Sequence, residues 1–271
     1  MTGGDVPVLP QPVVHSRAVV LRAWPSGETS VVASLLTEAR GYVRVIAKGA
    51  RQGLSRLQPL VRPGRIVEAE FGWSPDRELQ YLKGGSLLLD PLLDDNSLER
   101  TAYALSALEL ADRCRPSGER EAGLFGLCRR YLEMLSSGAA GDEAPLFYAF
   151  ETALLELQGI APELAACAAC GGSLEPPGSR FSPAAGGAVC GACAGEDDRP
   201  LAPETLAALR SLGGAAPERS SRRTSRETGI LLHRFLTYHL PEYRLPAGLE
   251  LLRAARSADA AAAAAKDDEP C

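Results

Sequence analysis

The hydrophobic pattern of this chain changes its period once, near residue 90, and the change limits the folds open to it. Before that point, five short segments rich in β-branched and aromatic residues read as strands. They cover residues 16–24, 29–37, 42–48, 65–72 and 78–84. After it, apolar residues recur every three or four positions, as in amphipathic helices. The sequence therefore predicts a multi-domain α+β protein in which a small β domain precedes an all-helical one.

The strand region, residues 15–90, is expected to close into a small barrel. Turn signals such as "PSGE", "EARG" and "WSPDR" separate the strands, and one longer connection joins the third to the fourth. The OB-fold is the best-known five-stranded barrel, and it commonly binds oligonucleotides on one face and with the loops that join strands 1–2 and 4–5. An SH3-like barrel is the main alternative.

The helical region is expected to span residues 91–256. Its helices are predicted at about 97–112, 119–136, 145–158, 203–212, 224–240 and 246–256. Asn96 or Ser97 can cap the first, and Pro203 suits the first turn of the fourth. The Pro- and Gly-rich residues 1–14 and the alanine-rich tail 257–271 are predicted to be disordered.

Four cysteines interrupt the helical pattern within residues 160–200. Two Cys-x2-Cys pairs, Cys167 with Cys170 and Cys190 with Cys193, are 19 residues apart. Four thiolates at this spacing can surround one Zn²⁺ ion tetrahedrally and leave no open position, which predicts a structural zinc knuckle. Paired disulfides would suit a secreted protein, and a redox pair would need one Cys-x2-Cys and a βαβ setting, so both alternatives are weaker. Cys114, near the end of the first predicted helix, and Cys128, within the second, are expected to be core residues.

The stretch "AKGARQGLSR" at the end of the third strand is basic and contains no acid. Lys48, Arg51 and Arg56 fall among glycines, and Arg40 and Arg44 precede them. Such a stretch is either a solvated loop or a contact for the phosphates of a nucleic acid. The net charge of the chain is −5, but residues 15–83 carry eleven Lys or Arg and six Asp or Glu. A basic segment within an acidic chain favours the phosphate interpretation.

Two tryptophans and a second basic cluster bear on the same question. Trp24 and Trp73 fall at the predicted turns between strands 1–2 and 4–5, where a ring can either stack on a base or cover an end of the barrel. The cluster in "ERSSRRTSRE" contains Arg219, Arg222, Arg223 and Arg226. It either extends the nucleic-acid surface or lies in a disordered linker. The sequence leaves both pairs of alternatives open.

Motifs of catalysis do not appear in the sequence. It has no GxxxxGK phosphate loop, no GxGxxG after a strand and no HExxH, and its histidines are isolated at His15, His233 and His239. It also has no secretory signal and no apolar run of the roughly 18–20 residues that a membrane span needs. The sequence predicts a non-enzymatic cytoplasmic protein.

The stretches "AVVLRAWPSGETSVVASLLTEARGYVRVIAKGAR" and "SRLQPLVRPGRIVEAEF" resemble the start of the RecO family of bacterial recombination mediators. The resemblance continues through the helices, the cysteine pairs and "LLHRFLTYHL", and covers roughly residues 15–255. One departure is that family members often carry a basic stretch after this last helix, where "YRLPAGLELLR" stands here.

The resemblance implies an OB-fold, a helical domain with a zinc-knuckle insertion, and no hydrolytic activity. RecO-like proteins bind single- and double-stranded DNA, anneal complementary strands and help load RecA onto strands coated by single-stranded-DNA-binding protein. They work with RecR and contact the acidic C-terminal tail of the coating protein. The helical domain is expected to bind this tail in an apolar pocket, with Arg129 and Arg130 at its rim. Such a protein would join the nucleoid when it binds DNA.

The residues expected to bind nucleic acid share a basic or aromatic side chain near the barrel surface. They are Lys48, Arg51, Arg56, Arg44, Arg40, Trp24 and Trp73. Two other classes of function remain open. One is a zinc-bearing protein-interaction adaptor with only incidental DNA affinity, and the other is an enzyme whose site is assembled from residues distant in sequence.

Overall fold

The computed structural model describes residues 12–93, 97–115, 120–138, 143–175, 178–214 and 219–267. The chain separates into two compact units, Met1–Asp90 and Pro91–Cys271. None of the described helices is long and apolar enough to cross a membrane. That the two units are functional domains with the limits predicted from the sequence stays a prediction.

The first unit is a closed barrel of five strands. They are β1 Val13–Ser26, β2 Ser30–Thr37, β3 Gly41–Ala47, β4 Ile66–Gly72 and β5 Leu79–Leu89. Around the barrel the order is β1-β2-β3-β5-β4, and every pair is antiparallel except β3 with β5. This is the five-stranded barrel of an OB-fold. The predicted OB-fold is therefore confirmed, and the SH3-like alternative is wrong.

The barrel closes because β1 is long enough to pair with two strands. Its first half, from Val13, pairs with β4, and its second half, ending at Ser26, pairs with β2. A bulge between Val20 and Arg22 interrupts the register with β2. Alternate residues of the strands point inward and form the core, in which Leu35 and Phe71 are fully buried. Burial of each such side chain contributes about 1.5–3 kcal/mol to stability.

The connection from β3 to β4 closes one part of this core. It contains a 3₁₀ turn, Gln58–Val61, whose Leu60 and Val61 join the core. Arg65 forms a buried ion pair with Asp90 at 2.6 Å and donates a hydrogen bond to the carbonyl of Pro59 at 2.8 Å. A buried charge needs such a partner and such hydrogen bonds, so this arginine holds the connection against the end of the barrel.

The second unit contains six helices within the described residues. They are α1 Leu98–Arg113, α2 Arg120–Ser137, α3 Glu143–Gln158, α4 Pro203–Ser211, α5 Arg222–His239 and α6 Ala247–Asp267. Ser97 caps α1, because its side-chain oxygen accepts the N–H of Arg100 at 3.1 Å. This confirms one of the two predicted caps, whereas Asn96 lies outside the described residues. Pro203 lies in the first turn of α4, as predicted.

Aromatic contacts join the first three helices. Tyr103 of α1 packs on Phe147 of α3 with 5.3 Å between ring centroids, and Tyr131 of α2 packs on Phe150 of α3 at 5.0 Å. Such pairs add about 0.5–1.5 kcal/mol beyond the burial of their area. The helical prediction for this part of the chain is confirmed.

Between α3 and α4, the described residues form a small sheet instead of a helix. Its strands are β6 Arg180–Ser182, β7 Gly187–Val189 and β8 Arg199–Pro200, in the order β7-β6-β8. Phe181 of β6 is buried and packs on Phe235 of α5, with 5.9 Å between the ring centroids. This aromatic pair attaches the insertion to the helices.

The two ends of the chain differ from the disordered segments predicted. Strand β1 begins at Val13, so residues 13 and 14 belong to the barrel, whereas residues 1–11 lie outside the described part. Helix α6 continues to Asp267, eleven residues beyond the predicted end at 256. The low-complexity tail is alanine-rich, and alanine has the highest helix propensity, so the run extends the helix. Residues 268–271 lie outside the described part.

Two glycines of the barrel make a matched pair for testing its geometry. Gly85 of β5 has φ +145°, and a Cβ there would lie 2.1 Å from the carbonyl oxygen of Glu68 on β4. Gly27 in the turn between β1 and β2 has φ +61° and open space around it. We expect Gly85→Ala to lower the free energy of unfolding by about 2–4 kcal/mol. Gly27→Ala should cost only about 1 kcal/mol, for its backbone conformation.

Urea denaturation followed by tryptophan fluorescence measures both losses, since Trp24 and Trp73 both lie in the barrel unit. Equal losses at the two positions would contradict the close approach of β4 to Gly85.

Candidate nucleic-acid interface and metal centre

Two rows of paired residues cross the outer surface of the barrel. In the first, Arg22 of β1 pairs with Ser34 of β2, which pairs with Arg44 of β3. In the next, Trp24, Val32, Ile46 and Tyr81 follow one another across β1, β2, β3 and β5. Residues two apart in a strand share a face, so these rows lie side by side on one surface.

Cations lie over the aromatic rings of this surface. The guanidinium carbons of Arg44 and Arg22 lie 5.7 Å and 6.0 Å from the centroid of the Trp24 ring. The Nζ of Lys48 lies 4.9 Å from the centroid of Tyr81, which is 41% exposed. Each contact of this kind contributes about 0.5–1 kcal/mol at an exposed site. We call Arg22, Trp24, Arg44, Lys48 and Tyr81 the basic–aromatic face.

The basic loop that follows Lys48 is anchored beside this face. The backbone N–H of Arg51 donates to the carbonyl of Thr29 at 2.8 Å, and its guanidinium donates to the carbonyl of Gly27 at 3.0 Å. Gly49 has φ +71°, which lets the chain turn here. Arg56 is exposed. The hydrogen bonds of Arg51 tie this loop to the turn between β1 and β2.

Arg40 and Trp73 lie at the other end of β2. The guanidinium carbon of Arg40 lies 5.1 Å from the centroid of Trp73. Trp73 packs against the barrel core and meets Phe71 edge to face, with 6.3 Å between ring centroids. Arg40 follows Thr37, the last residue of β2, whereas Trp24 pairs with Val32 near the start of that strand. Five residues of β2, or roughly 16 Å, therefore separate the Arg40–Trp73 contact from Trp24.

The structure thus separates the predicted nucleic-acid residues into groups. Trp24, Arg44 and Lys48 share the basic–aromatic face, and Arg51 is anchored to the turn beside it. Trp73 covers an end of the barrel core, which is one of its two sequence interpretations, and Arg40 lies over it. That any of these residues binds nucleic acid stays a prediction.

Sequence reasoning missed two members of the face. Arg22 precedes Trp24 by two positions in β1, so the period of a strand could have placed it on the same side. Tyr81 gave no such signal, because it reaches Lys48 only through the parallel pairing of β3 with β5, which joins Ile46 to a residue 35 positions later.

The four predicted metal ligands come together in the second unit. The Sγ atoms of Cys167, Cys170, Cys190 and Cys193 all lie within 4.8 Å of one another, and those of Cys170 and Cys190 are 4.0 Å apart. Four thiolates at 2.3 Å from a tetrahedral Zn²⁺ would have sulfur–sulfur distances of roughly 3.8 Å. The described cluster fits one metal ion in that coordination.

Backbone hydrogen bonds shape the two knuckles of this cluster. The N–H of Gly171 donates to the carbonyl of Cys167 at 2.8 Å, and the N–H of Cys193 donates to the carbonyl of Cys190 at 3.0 Å. Gly171 has φ +72°, a conformation that favours glycine. The N–H of Cys190 donates to the Sγ of Cys167 at 3.3 Å and so links the first knuckle to the second.

The electrostatics of the cluster favour a bound cation. The backbone N–H groups of Cys190 and Cys170 lower the pKa of the Cys167 thiol to about 6. Hydrogen bonds with the sulfurs of Cys170 and Cys190 raise the pKa of Cys193 to about 12, because they stabilise its protonated thiol. Four neighbouring thiolates repel one another, and a divalent cation removes that repulsion.

Cys114 and Cys128 lie outside the cluster. Both are buried, and burial raises the pKa of Cys114 to about 11 and that of Cys128 to about 12. A buried thiol with so high a pKa is a poor nucleophile. Their prediction as core residues agrees with this burial.

An enzymatic site would show itself as a perturbed acid or cysteine in a large cleft. Burial raises the pKa of Glu151 well above its usual range, but this carboxyl lies inside the helical unit with 3% of its surface exposed. Its burial gives a substrate no access to it. His233 and His239 make structural hydrogen bonds, to Tyr243 and to the carbonyl of Pro183, each at 2.9 Å.

Known proteins resemble this chain over most of its length. A family model described as "Recombination protein O N terminal" matches residues 12–89, and one described as "Recombination protein O C terminal" matches residues 95–248. The DNA repair protein RecO of Desulforudis audaxviator is 32% identical over 247 residues, which are 88% of this chain and 96% of the relative. That of Anaeromyxobacter dehalogenans (strain 2CP-C) is 37% identical over 234 residues, 84% of this chain and 91% of the relative.

The metal centre generates a direct prediction. The double variant Cys190→Ser/Cys193→Ser should contain no bound metal, because two remaining thiolates cannot complete a tetrahedral site. Wild type is expected to contain one ion per chain, and Cys114→Ser should keep it, since that residue lies outside the cluster. Inductively coupled plasma mass spectrometry of the purified proteins measures the ratio. Retention of one equivalent by the double variant would rule out this cluster as the site.

Proposed function

Because the chain belongs to the RecO family of DNA repair proteins, we propose that it is a non-enzymatic DNA-binding recombination mediator. In this proposal it binds single-stranded DNA, anneals complementary strands and helps load RecA onto strands coated by single-stranded-DNA-binding protein. The observation that carries the proposal is the position of Trp24, whose ring lies on the outer surface of an OB-fold between Arg22 and Arg44.

The cations of the face would bind the phosphates of a strand. Arg22, Arg44 and Lys48 lie on or beside paired strands of the face, and Arg51 and Arg56 extend the positive charge into the anchored loop. Contacts of this kind are independent of sequence, and each phosphate neutralised on a single strand contributes about −0.7 to the slope of log K against log salt. Because the backbone of the loop is tied down, less conformational freedom is lost when a strand binds.

The aromatic rings would stack on the bases. One stacked base contributes about 1–3 kcal/mol and can be of any type. Stacking and phosphate contacts leave the Watson–Crick edges of the bases free. A strand bound in this way has its charge reduced and can still pair, which is the physical requirement for annealing.

The cysteine cluster would hold one structural Zn²⁺ ion. With four sulfur ligands the ion has no position for a substrate, so it would supply stability and no chemistry of its own. Cys190 directly follows β7, and the N–H of Ala168, next to Cys167, donates to the carbonyl of Ala188 in β7 at 2.8 Å. A metal that joins them would hold the insertion closed.

The partners proposed are RecR and the acidic C-terminal tail of the coating protein, with the nucleoid as the place of action. They rest on the family resemblance. Arg129 on α2 is paired with Glu133 at 2.7 Å, and Arg130 beside it is exposed. An acidic tail could compete with Glu133 for Arg129, which supports a role for this pair at the rim of a tail-binding pocket.

The phosphate contacts can be tested by reversing charge on the face. Arg44→Glu/Lys48→Glu should lower the affinity for an unstructured single-stranded oligonucleotide at least about tenfold and make the salt slope shallower by roughly 1.4. The matched control is Arg17→Glu/Arg62→Glu. It changes the charge of the same unit by the same amount, but Arg17 lies in the first half of β1 and Arg62 in the connection from β3 to β4. It should change both quantities much less. Fluorescence anisotropy across a salt series measures them.

Lys48→Glu/Arg51→Glu/Arg56→Glu, which reaches into the loop, should weaken binding further. Equal losses in the face and control variants would remove the face as the site. If the folded wild-type protein did not bind DNA at low salt, the proposal itself would be contradicted. A zinc-bearing protein-interaction adaptor would then be favoured.

The two tryptophans should behave differently. Trp24→Ala should lower affinity by roughly 5- to 100-fold through lost stacking, while the free energy of unfolding changes by less than about 1 kcal/mol. Trp73→Ala should instead lower the free energy of unfolding by about 2–4 kcal/mol, because its ring packs on Phe71 and the barrel core. Anisotropy and urea denaturation of each variant give the four values. Unchanged affinity of Trp24→Ala would contradict stacking on that ring.

A further inference from the structure

Helix α5 of the second unit has one buried side and one strongly basic side. Thr228, Leu231, Leu232, Phe235 and Leu236 are buried. Arg222, Arg226 and Arg234 are exposed and fall within roughly 120° of the helix circumference. The basic residues predicted to lie in a linker or on a nucleic-acid surface therefore begin a helix, which Ser221 caps.

The charge of this side is unbalanced. Helix α5 contains four arginines and one acid, Glu227, in a chain whose net charge is −5. Glu227 accepts hydrogen bonds from Arg223 at 3.2 Å and from the hydroxyl of Thr205 at 2.9 Å. In the part of the chain that the structure describes, Arg222 and Arg226 have no ion pair. Arginines at the first turn of a helix also meet its positive dipole end, which is unfavourable without an anion.

An open pocket of about 380 Å³ lies further along the same helix. Its lining residues are Pro183, His233, Arg234, Thr237 and Tyr238, none of them acidic. Tyr238 is 61% exposed and stands edge to face on His239, with 5.0 Å between ring centroids. This volume is at the small end of the range of ligand pockets. An exposed aromatic ring beside an arginine is suited to stacking on a base.

The spacing along the helix suits an extended polyanion. Arg222 and Arg234 are twelve residues apart, which corresponds to roughly 18 Å, and Tyr238 lies one further turn along. A row of this length matches several phosphates of one strand better than the single charged group of a small anion. Arginine also gives a phosphate two hydrogen bonds in one geometry.

We propose that this surface of α5, formed by Arg222, Arg226, Arg234 and Tyr238, binds a second DNA strand. Its phosphates would lie along the arginines and a base would enter the pocket beside Tyr238. The inference rests on the proposed function and deepens it, because the chain would then carry one strand site in each unit. Two strand sites on one chain would bring two strands together while neutralising the charge of both, as annealing requires.

The number of short oligonucleotides bound per chain tests the inference. Native mass spectrometry with an unstructured oligonucleotide of about ten residues, close to the site size of one OB-fold, should show two per wild-type chain. Arg226→Glu/Arg234→Glu should bind one and anneal complementary strands at least about tenfold more slowly. The control Arg113→Glu/Arg256→Glu makes the same charge change on α1 and α6, where both arginines are exposed, and should still bind two.

Tyr238→Ala provides a variant that leaves the charge unchanged. It should weaken the second binding event roughly tenfold and leave the first unaltered. Metal content and thermal unfolding are measured for every variant, to check that each is folded.

The outcomes separate this inference from the proposed function. The α5 site alone would be overturned if the Arg226→Glu/Arg234→Glu variant still bound two oligonucleotides per chain. It would also be overturned if wild type and this variant each bound one. Full binding by Arg44→Glu/Lys48→Glu would contradict the barrel site and leave α5 untouched. If the α5 variant keeps both strands but loses a fluorescent Asp/Glu-rich peptide that wild type binds, the surface docks an acidic protein segment and the inference is wrong.

Discussion

Arg44, Val45 and Ile46 of β3 pair in parallel with Leu79, Gln80 and Tyr81 of β5, and these pairs close the barrel. The same pairs bring Tyr81 to Lys48. Gln80 is buried beside them, and its amide makes hydrogen bonds of 2.7–3.0 Å with the backbone of Ser74 and Arg77. A buried amide with all these partners fixes the β4–β5 loop where β5 begins.

Closure therefore produces a surface as well as a core. Inward residues of β1, β2 and β3 are small or aliphatic, and the outward residues of β1 and β3 include Arg22, Trp24 and Arg44. Because side chains alternate across a strand, a register shift of one residue would turn these cations into the core. The hydrophobic core thus holds the basic–aromatic face in place.

The second unit depends on two separate local constraints. Helix packing holds α1, α2 and α3 through the aromatic pairs of Tyr103 and Tyr131, whereas the insertion has little core of its own. Phe181 attaches the insertion to α5, and the cysteine cluster closes it. Such a small segment generally needs a metal or a disulfide, because it cannot bury enough apolar surface. The proposed strand site on α5 lies next to Pro183 of this insertion, so its pocket depends on the same closure.

The sequence by itself determined the type of most segments and which four cysteines come together. Strand period, helix period, the capping Ser97 and the Cys-x2-Cys spacing all depend on neighbours within a few residues, and such signals survive in a linear chain. The tertiary structure alone decided which aromatic residues share a surface with the cations. Trp24 and Trp73 occupy similar turn positions in the sequence, yet one lies among arginines and the other covers the core. Likewise, Tyr81 meets Lys48, and Arg234 lines a pocket with Pro183, only through pairings and packing between residues more than 30 positions apart. Contacts at that separation depend on how each unit folds, and no local pattern of residues encodes them.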